Sequence, residues 1–146
     1  MKRYIALLRG ISISGKNKVP MAKLRKCFES LGVMEVKTCL NSGNVIFSST
    51  DGNVTALTDR AEYMMQCEFG LDIFILPPAT FSDVYHEIGA PKEGLEQIQE
   101  YQSVVFWSFS RKNYKKTNWW PKTARVDIGW KLTIRTANTV RKIVNM

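Results

Sequence analysis

Two stretches of the chain contain residues whose types and spacing could do chemistry. The first is Gly10-Ile-Ser-Ile-Ser-Gly15-Lys16, which fits G-x-x-x-x-G-K, the pattern of a phosphate-gripping loop. Such a loop needs Ser or Thr after the lysine to hold magnesium, and its Gly-Lys pair must open a helix so that backbone N–H groups point at phosphate. Here Asn17 follows Lys16, and Pro20 delays the helix. The match is therefore read as accidental. The second stretch is Ser110 to Trp120, where Arg111, Lys112, Lys115 and Lys116 alternate with Tyr114, Trp119 and Trp120, with Trp107 and Trp130 nearby in sequence. Mixtures of this kind bind single-stranded nucleic acid, because cations track phosphates while aromatic faces stack bases. The plainer reading makes the tryptophans packing anchors and the lysines solvated.

Other reactive side chains are few. Cys27, Cys39 and Cys67 stand far apart with no C-x-x-C pair, and His86 is the only histidine. That spacing excludes a structural zinc site, and the three cysteines read as buried, reduced core residues. A Cys/His nucleophile pair is formally open. No paired acids stand at a recognisable spacing, so no general acid/base set assembles. The expectation is no catalytic residues, no metal and no cofactor.

Charge falls in blocks. Residues 1–26 carry eight basic groups and no acid; residues 27–100 carry twelve acids against three bases; residues 101–146 carry ten bases against Asp127 alone. The net charge is +8 over 146 residues. Such a surplus favours polyanions without naming one. No apolar run approaches the roughly 18 to 20 residues of a membrane span, and no cleavable leader is evident. A cytoplasmic protein without membrane contact is expected; composition says nothing of its oligomeric state.

These residues must be positioned by ordinary elements. Tyr4 to Leu8 suits a buried strand, and Pro20 opens a helix with Leu24, Phe28 and Leu31 on one face, ended by Gly32. "VKTCLNSGNVIFSS" reads as an antiparallel hairpin turning at Asn41 to Asn44, where glycine and asparagine accept positive φ. A helix with Leu57, Ala61, Met64, Met65 and Phe69 at helical spacing follows, then the strand "LDIFIL". The order βαββαβ predicts an α+β, ferredoxin-like lobe over residues 1–89. A short helix from Thr80, a polar connector over 90–102 and a smaller, truncated βαβα lobe over 103–146, packed on the first, complete the expectation. In that second lobe "QSVVFWSF" and "WKLTIR" read as strands, "SRKNYKKTNWW" as a basic helix and "TANTVRKIVNM" as a closing helix capped by Thr136 or Asn138. The closing helix should bury Val140, Ile143 and Val144, and hold the two lobes together.

The opening "YIALLRGISISGKNKVPMAKLR", the hairpin "NSGNVIF" and the ending "TIRTANTVRKI" together resemble the bacterial conserved-hypothetical family called domain of unknown function sixteen-ninety-seven. Its pattern runs L-L-R-G-I-N-V-G-G-x-N-x-V-x-M, then S-G-N-V, then T-x-R-N-x-N-T-V. The resemblance implies two ferredoxin-like subdomains, here in a shortened form, with no established activity or cofactor. Its signature falls on Arg9, Gly10, Gly15, Asn17 and Met21, on Ser42, Gly43, Asn44 and Val45, and on Thr133, Arg135, Asn138, Thr139 and Val140. The chain departs from the pattern at Ser12, Ser14 and Thr136-Ala137, and the two serines make the loop less permissive to close backbone approach.

If these three segments converge, Arg9, Lys16, Asn17, Ser42, Asn44, Arg135 and Asn138 form a candidate site for an anionic ligand. Taken one at a time, Arg9 reads more simply as an internal clasp, and the polar residues of "NSGNV" as side chains that hold their own turn. The chain is read as a non-catalytic binding or interaction protein of unknown ligand. Single-strand nucleic-acid binding through Lys112, Lys115, Lys116, Trp119 and Trp120 is the alternative, and an unrecognised small-molecule enzyme is the second alternative.

Overall fold

The computed structural model describes residues 1–11, 17–40, 43–75, 85–86, 88–101, 104–123 and 132–146. Lys16 and Ser42 of the candidate ligand set, Trp130 and most of the expected helix from Thr80 lie outside them; of that helix, Tyr85, His86 and Ile88 are helical. The chain divides into two compact units, Met1–Leu76 together with Ile134–Met146, and Pro77–Thr133. No helix among the described residues is long and apolar enough to cross a membrane.

The first unit runs β1 (Lys2–Arg9), α1 (Met21–Glu29), β2 (Met34–Cys39), β3 (Asn44–Ser49), α2 (Val54–Phe69) and β4 (Phe74–Ile75). Its sheet has the order β2-β3-β1-β4, with every neighbouring pair antiparallel. This is the arrangement the βαββαβ order calls for, and the chain is an α+β protein. Alternation along the strands explains the layers. Ala6 and Leu8 of β1, with Val45 and Phe47 of β3, face α1 and α2, where Leu24, Phe28, Leu57, Ala61 and Met65 complete the core. Leu7 and Ile46 point the other way, and there they meet a helix from the end of the chain, α4 (Ala137–Val144), through Ile143 and Met146. Both faces of β3 are therefore buried along its whole length.

The helix ends follow local chemistry. Asn53 caps α2 by accepting from the Ala56 N–H at 3.0 Å, and Gly70 ends it with φ 62. Thr136 caps α4 by accepting from Thr139 N–H at 3.3 Å. Of the apolar residues expected on one face of α4, Ile143 is buried while Val140 and Val144 remain 41% and 73% exposed. Ile143 is thus the one buried apolar residue of the helix, beside the buried Thr139.

The second unit differs from its expected form. The stretch read as a connector contains β5 (Glu96–Tyr101), which pairs antiparallel with β6 (Val104–Phe109). Its polar composition hid the strand. The carboxylate of Glu96, 5% exposed, accepts from Trp107 Nε1 at 2.9 Å and from the backbone N–H groups of Lys92 and Asn118 at 2.8 and 2.6 Å. These bonds satisfy a buried charge. The basic helix expected over "SRKNYKKTNWW" is instead a turn, a 3-10 segment at Tyr114–Lys116 and the short α3 (Trp119–Thr123). Thr117 breaks it: its backbone is extended at φ −68 and ψ 159, and its hydroxyl bonds the Tyr114 carbonyl at 2.7 Å. Leu132 to Arg135 form no strand, and residues 134–146 group with the first unit. The closing helix gets its apolar contacts from the first unit's sheet, which is where its burial comes from.

Candidate functional site

The site begins with the end of β1. Alternation puts Arg9 on the same face as Leu7, and the direct pairing of Leu7 with Asn44 puts Asn44 there too. Two glycines let the backbone close up around this corner. Gly10, at φ 97, sits where a Cβ would come within 2.5 Å of the Asp72 carbonyl oxygen. Gly43, at φ 71, sits where a Cβ would lie 2.5 Å from Ile11 Cδ1 and 2.9 Å from Leu8 Cβ. Any other residue at either place would push the β1 end off its neighbours. The Leu8 N–H donates to the Gly43 carbonyl at 2.8 Å, so the Arg9 loop and the hairpin turn are fastened together.

Arg135 supplies the third segment. Its Nε donates to Asn44 Oδ1 at 2.5 Å, its Nη2 to the Leu8 carbonyl at 2.9 Å, and its Nη1 to the Ile134 carbonyl at 3.0 Å. Asn44 is fully buried and donates its own Nδ2 to the Cys39 carbonyl at 2.9 Å. One buried amide thus links the hairpin turn to a guanidinium that arrives 91 residues later. The three sequence motifs do converge. Burial, and after it the positive charge of Arg9, lower the Arg135 guanidinium from its ordinary value; burial lowers Arg9 as well.

Not every candidate joins this corner. Asn17 donates Nδ2 to the Gly10 carbonyl at 3.1 Å, with its backbone at φ 53. The helix begins only at Met21 and the strands beside β1 are antiparallel, so the described residues flanking the loop lack the parallel strand order of a P-loop fold. Asn138 accepts from Arg141 Nη1 at 3.0 Å on the surface of α4 and is a helix residue of that exposed turn. Leu8, Gly43 and Ile134 enter the site through backbone atoms, which side-chain reasoning passes over. The positive-φ signal at Gly43 was the one available clue.

In the second unit the candidate cluster splits. Trp119 is 2% exposed, with Nε1 donating to the Gly89 carbonyl at 2.9 Å, and is a core residue, which corrects its place in a nucleic-acid set. Trp120 is 42% exposed, and Lys112, Lys115 and Lys116 are exposed as well. The thiols also differ from expectation in one case: Cys27 and Cys39 are buried, but Cys67 is exposed on α2.

The family model described as "Protein of unknown function (DUF1697)" matches residues 1–119. The chain belongs to that family. A solved structure, that of the conserved bacterial protein SP0830 from Streptococcus pneumoniae, is similar at 28% identity and a TM-score of 0.71, over 99% of this chain and 97% of that one. No protein with a curated description matches. Two of the three converging motifs lie inside the matched residues, and the Arg135 segment lies beyond them.

Proposed function

We propose that this protein is a non-catalytic binding protein whose ligand is an anion, held at the corner formed by the Arg9 loop, the Asn44 turn and Arg135. The observation that carries the reading is a pair of guanidinium groups from opposite ends of the chain, brought to one sheet face by strand alternation and by the Asn44 bond, and near enough that the charge of Arg9 adds to burial in lowering Arg135 from its ordinary value. Arg9 is followed by a segment with Lys16 and Lys18 and no acid, so the local charge supports the same sign of ligand. Planar guanidinium groups favour oxyanions with two or more acceptor oxygens, such as phosphate or carboxylate.

The test is a thermal melt in sodium phosphate against sodium chloride of equal ionic strength. Linkage requires stabilisation of about 1.4 kcal/mol when phosphate reaches ten times its dissociation constant. Each variant is compared with its own phosphate-free baseline, which cancels any effect of the substitution on stability. Arg9→Gln should abolish the phosphate-dependent increment. A wild-type chain without an increment at tens of millimolar, or an Arg9→Gln chain that keeps it, would reject the reading.

A further inference from the structure

The second unit carries a different surface, and it does not depend on the first. Residues 110–123 contain five basic residues and no acid. Within them Trp120 presents a half-open indole backed by other rings: Tyr114 edge-on at 4.9 Å, Phe109 at 5.8 Å and Trp107 at 6.2 Å. Its backbone is fixed as well, since the Trp120 N–H donates to Thr117 Oγ1 at 3.3 Å. Tyr114 is half-buried and has Lys115 Nζ above its ring at 5.8 Å. Arg111, Lys112, Lys115 and Lys116 are all exposed, and among the described residues none of them enters a salt bridge.

From this arrangement we infer that the Tyr114–Trp120 surface binds single-stranded nucleic acid, with Trp120 stacking a base while Arg111, Lys112, Lys115 and Lys116 neutralise the phosphates on either side. Two features support that partner over a generic surface. A tryptophan that served only as core would be covered as Trp119 is, at 2% exposure, yet its neighbour in the same short helix leaves 42% of its surface open within a cationic stretch. Charge complementarity also selects the partner's sign, since the nearest positions in sequence offer it only cations. A ring already braced by three others loses little freedom on stacking, so its contact with a base is retained in the binding free energy. Base stacking is tolerant of sequence, so the surface should discriminate by strandedness and not by base.

The experiment is fluorescence anisotropy of a labelled oligo-dT with the full chain, between about 50 and 200 mM salt. Three or four neutralised phosphates give a slope of log affinity against log salt of roughly −2 to −3. Trp120→Leu should weaken binding about 5- to 150-fold, the loss of one stacked base, while Trp120→Phe keeps most of it. Lys115→Glu with Lys116→Glu should abolish binding at the higher salt. A duplex of the same length should bind more weakly, because its base faces are covered. Far-ultraviolet dichroism and melting confirm that each variant is folded, and should Trp120→Leu unfold, the Phe and double-Glu variants decide the matter. Absence of binding at 50 mM salt overturns the inference. So does binding that the folded Trp120→Leu chain retains in full, since the surface would then be a bare cation patch.

Discussion

At the scale of single residues, Asn44 joins the hairpin turn to the Arg135 segment. It is fully buried, gives its Nδ2 to the Cys39 carbonyl and takes the Nε of Arg135 on its Oδ1. Replacing it with alanine removes the donor to the buried Cys39 carbonyl and the acceptor of the part-buried Arg135 Nε. Each such loss costs about 1–3 kcal/mol. Asn44→Ala should therefore destabilise the chain by about 3 kcal/mol in denaturant titration, whereas Asn138→Ala, whose partner Arg141 is solvent-exposed, should stay within about 0.5 kcal/mol. Equal effects of the two would show that Asn44 is a turn residue and no more. The sequence suggested the local half of this role, since asparagine in "NSGNV" bonds nearby backbone. It could not reveal the other half, because nothing in the spacing of Asn44 and Arg135 links them until the fold brings α4 across the sheet.

Among the elements, α4 has the most surprising place. It lies on the sheet face opposite α1 and α2, with Ile143 against Cys39 and Ile46. Ile143→Ala should cost about 2–4 kcal/mol, as deletion of a buried aliphatic side chain does. Val144→Ala, one residue on but 73% exposed, should cost under about 0.5 kcal/mol. Similar losses at both positions would mean that the helix buries its whole apolar stripe, the expectation from periodicity alone. Periodicity reads well where the apolar face is broad. It found α1 and α2 with their buried residues, and it found the β2–β3 hairpin because β3 is apolar on both faces. It failed on β5, whose "EQIQEY" resembles a linker; the buried Glu96 that organises its unit is the kind of residue that hydrophobic patterning discards. It also drew a helix through "SRKNYKKTNWW", where the Thr117 hydroxyl bonds the Tyr114 carbonyl in competition with helical bonds.

For the whole molecule, the three charge blocks of the sequence acquire a meaning. The basic opening and the closing segment belong to one unit, so two of the three blocks contribute cations to a single body, and the acidic block contributes α2 and β5 to different units. The basic segment from 110 to 123 lies in the other unit, so the surplus of positive charge is carried on both. The α+β class and the membership in a family of unknown function were legible from the order of elements and from three motifs. That those motifs meet at one corner was legible only as a hypothesis. The central claim is that this corner holds an anion, and the most direct measurement is a proton–nitrogen correlation spectrum of the labelled chain titrated with inorganic phosphate at constant ionic strength. The account predicts saturable shifts of the Arg9 and Arg135 side-chain Nε resonances and of the Gly10, Gly43 and Asn44 backbone amides, all fitting one dissociation constant. Shifts confined to exposed lysines such as Lys115 and Lys116, with the Arg9 and Arg135 signals unmoved, would contradict it.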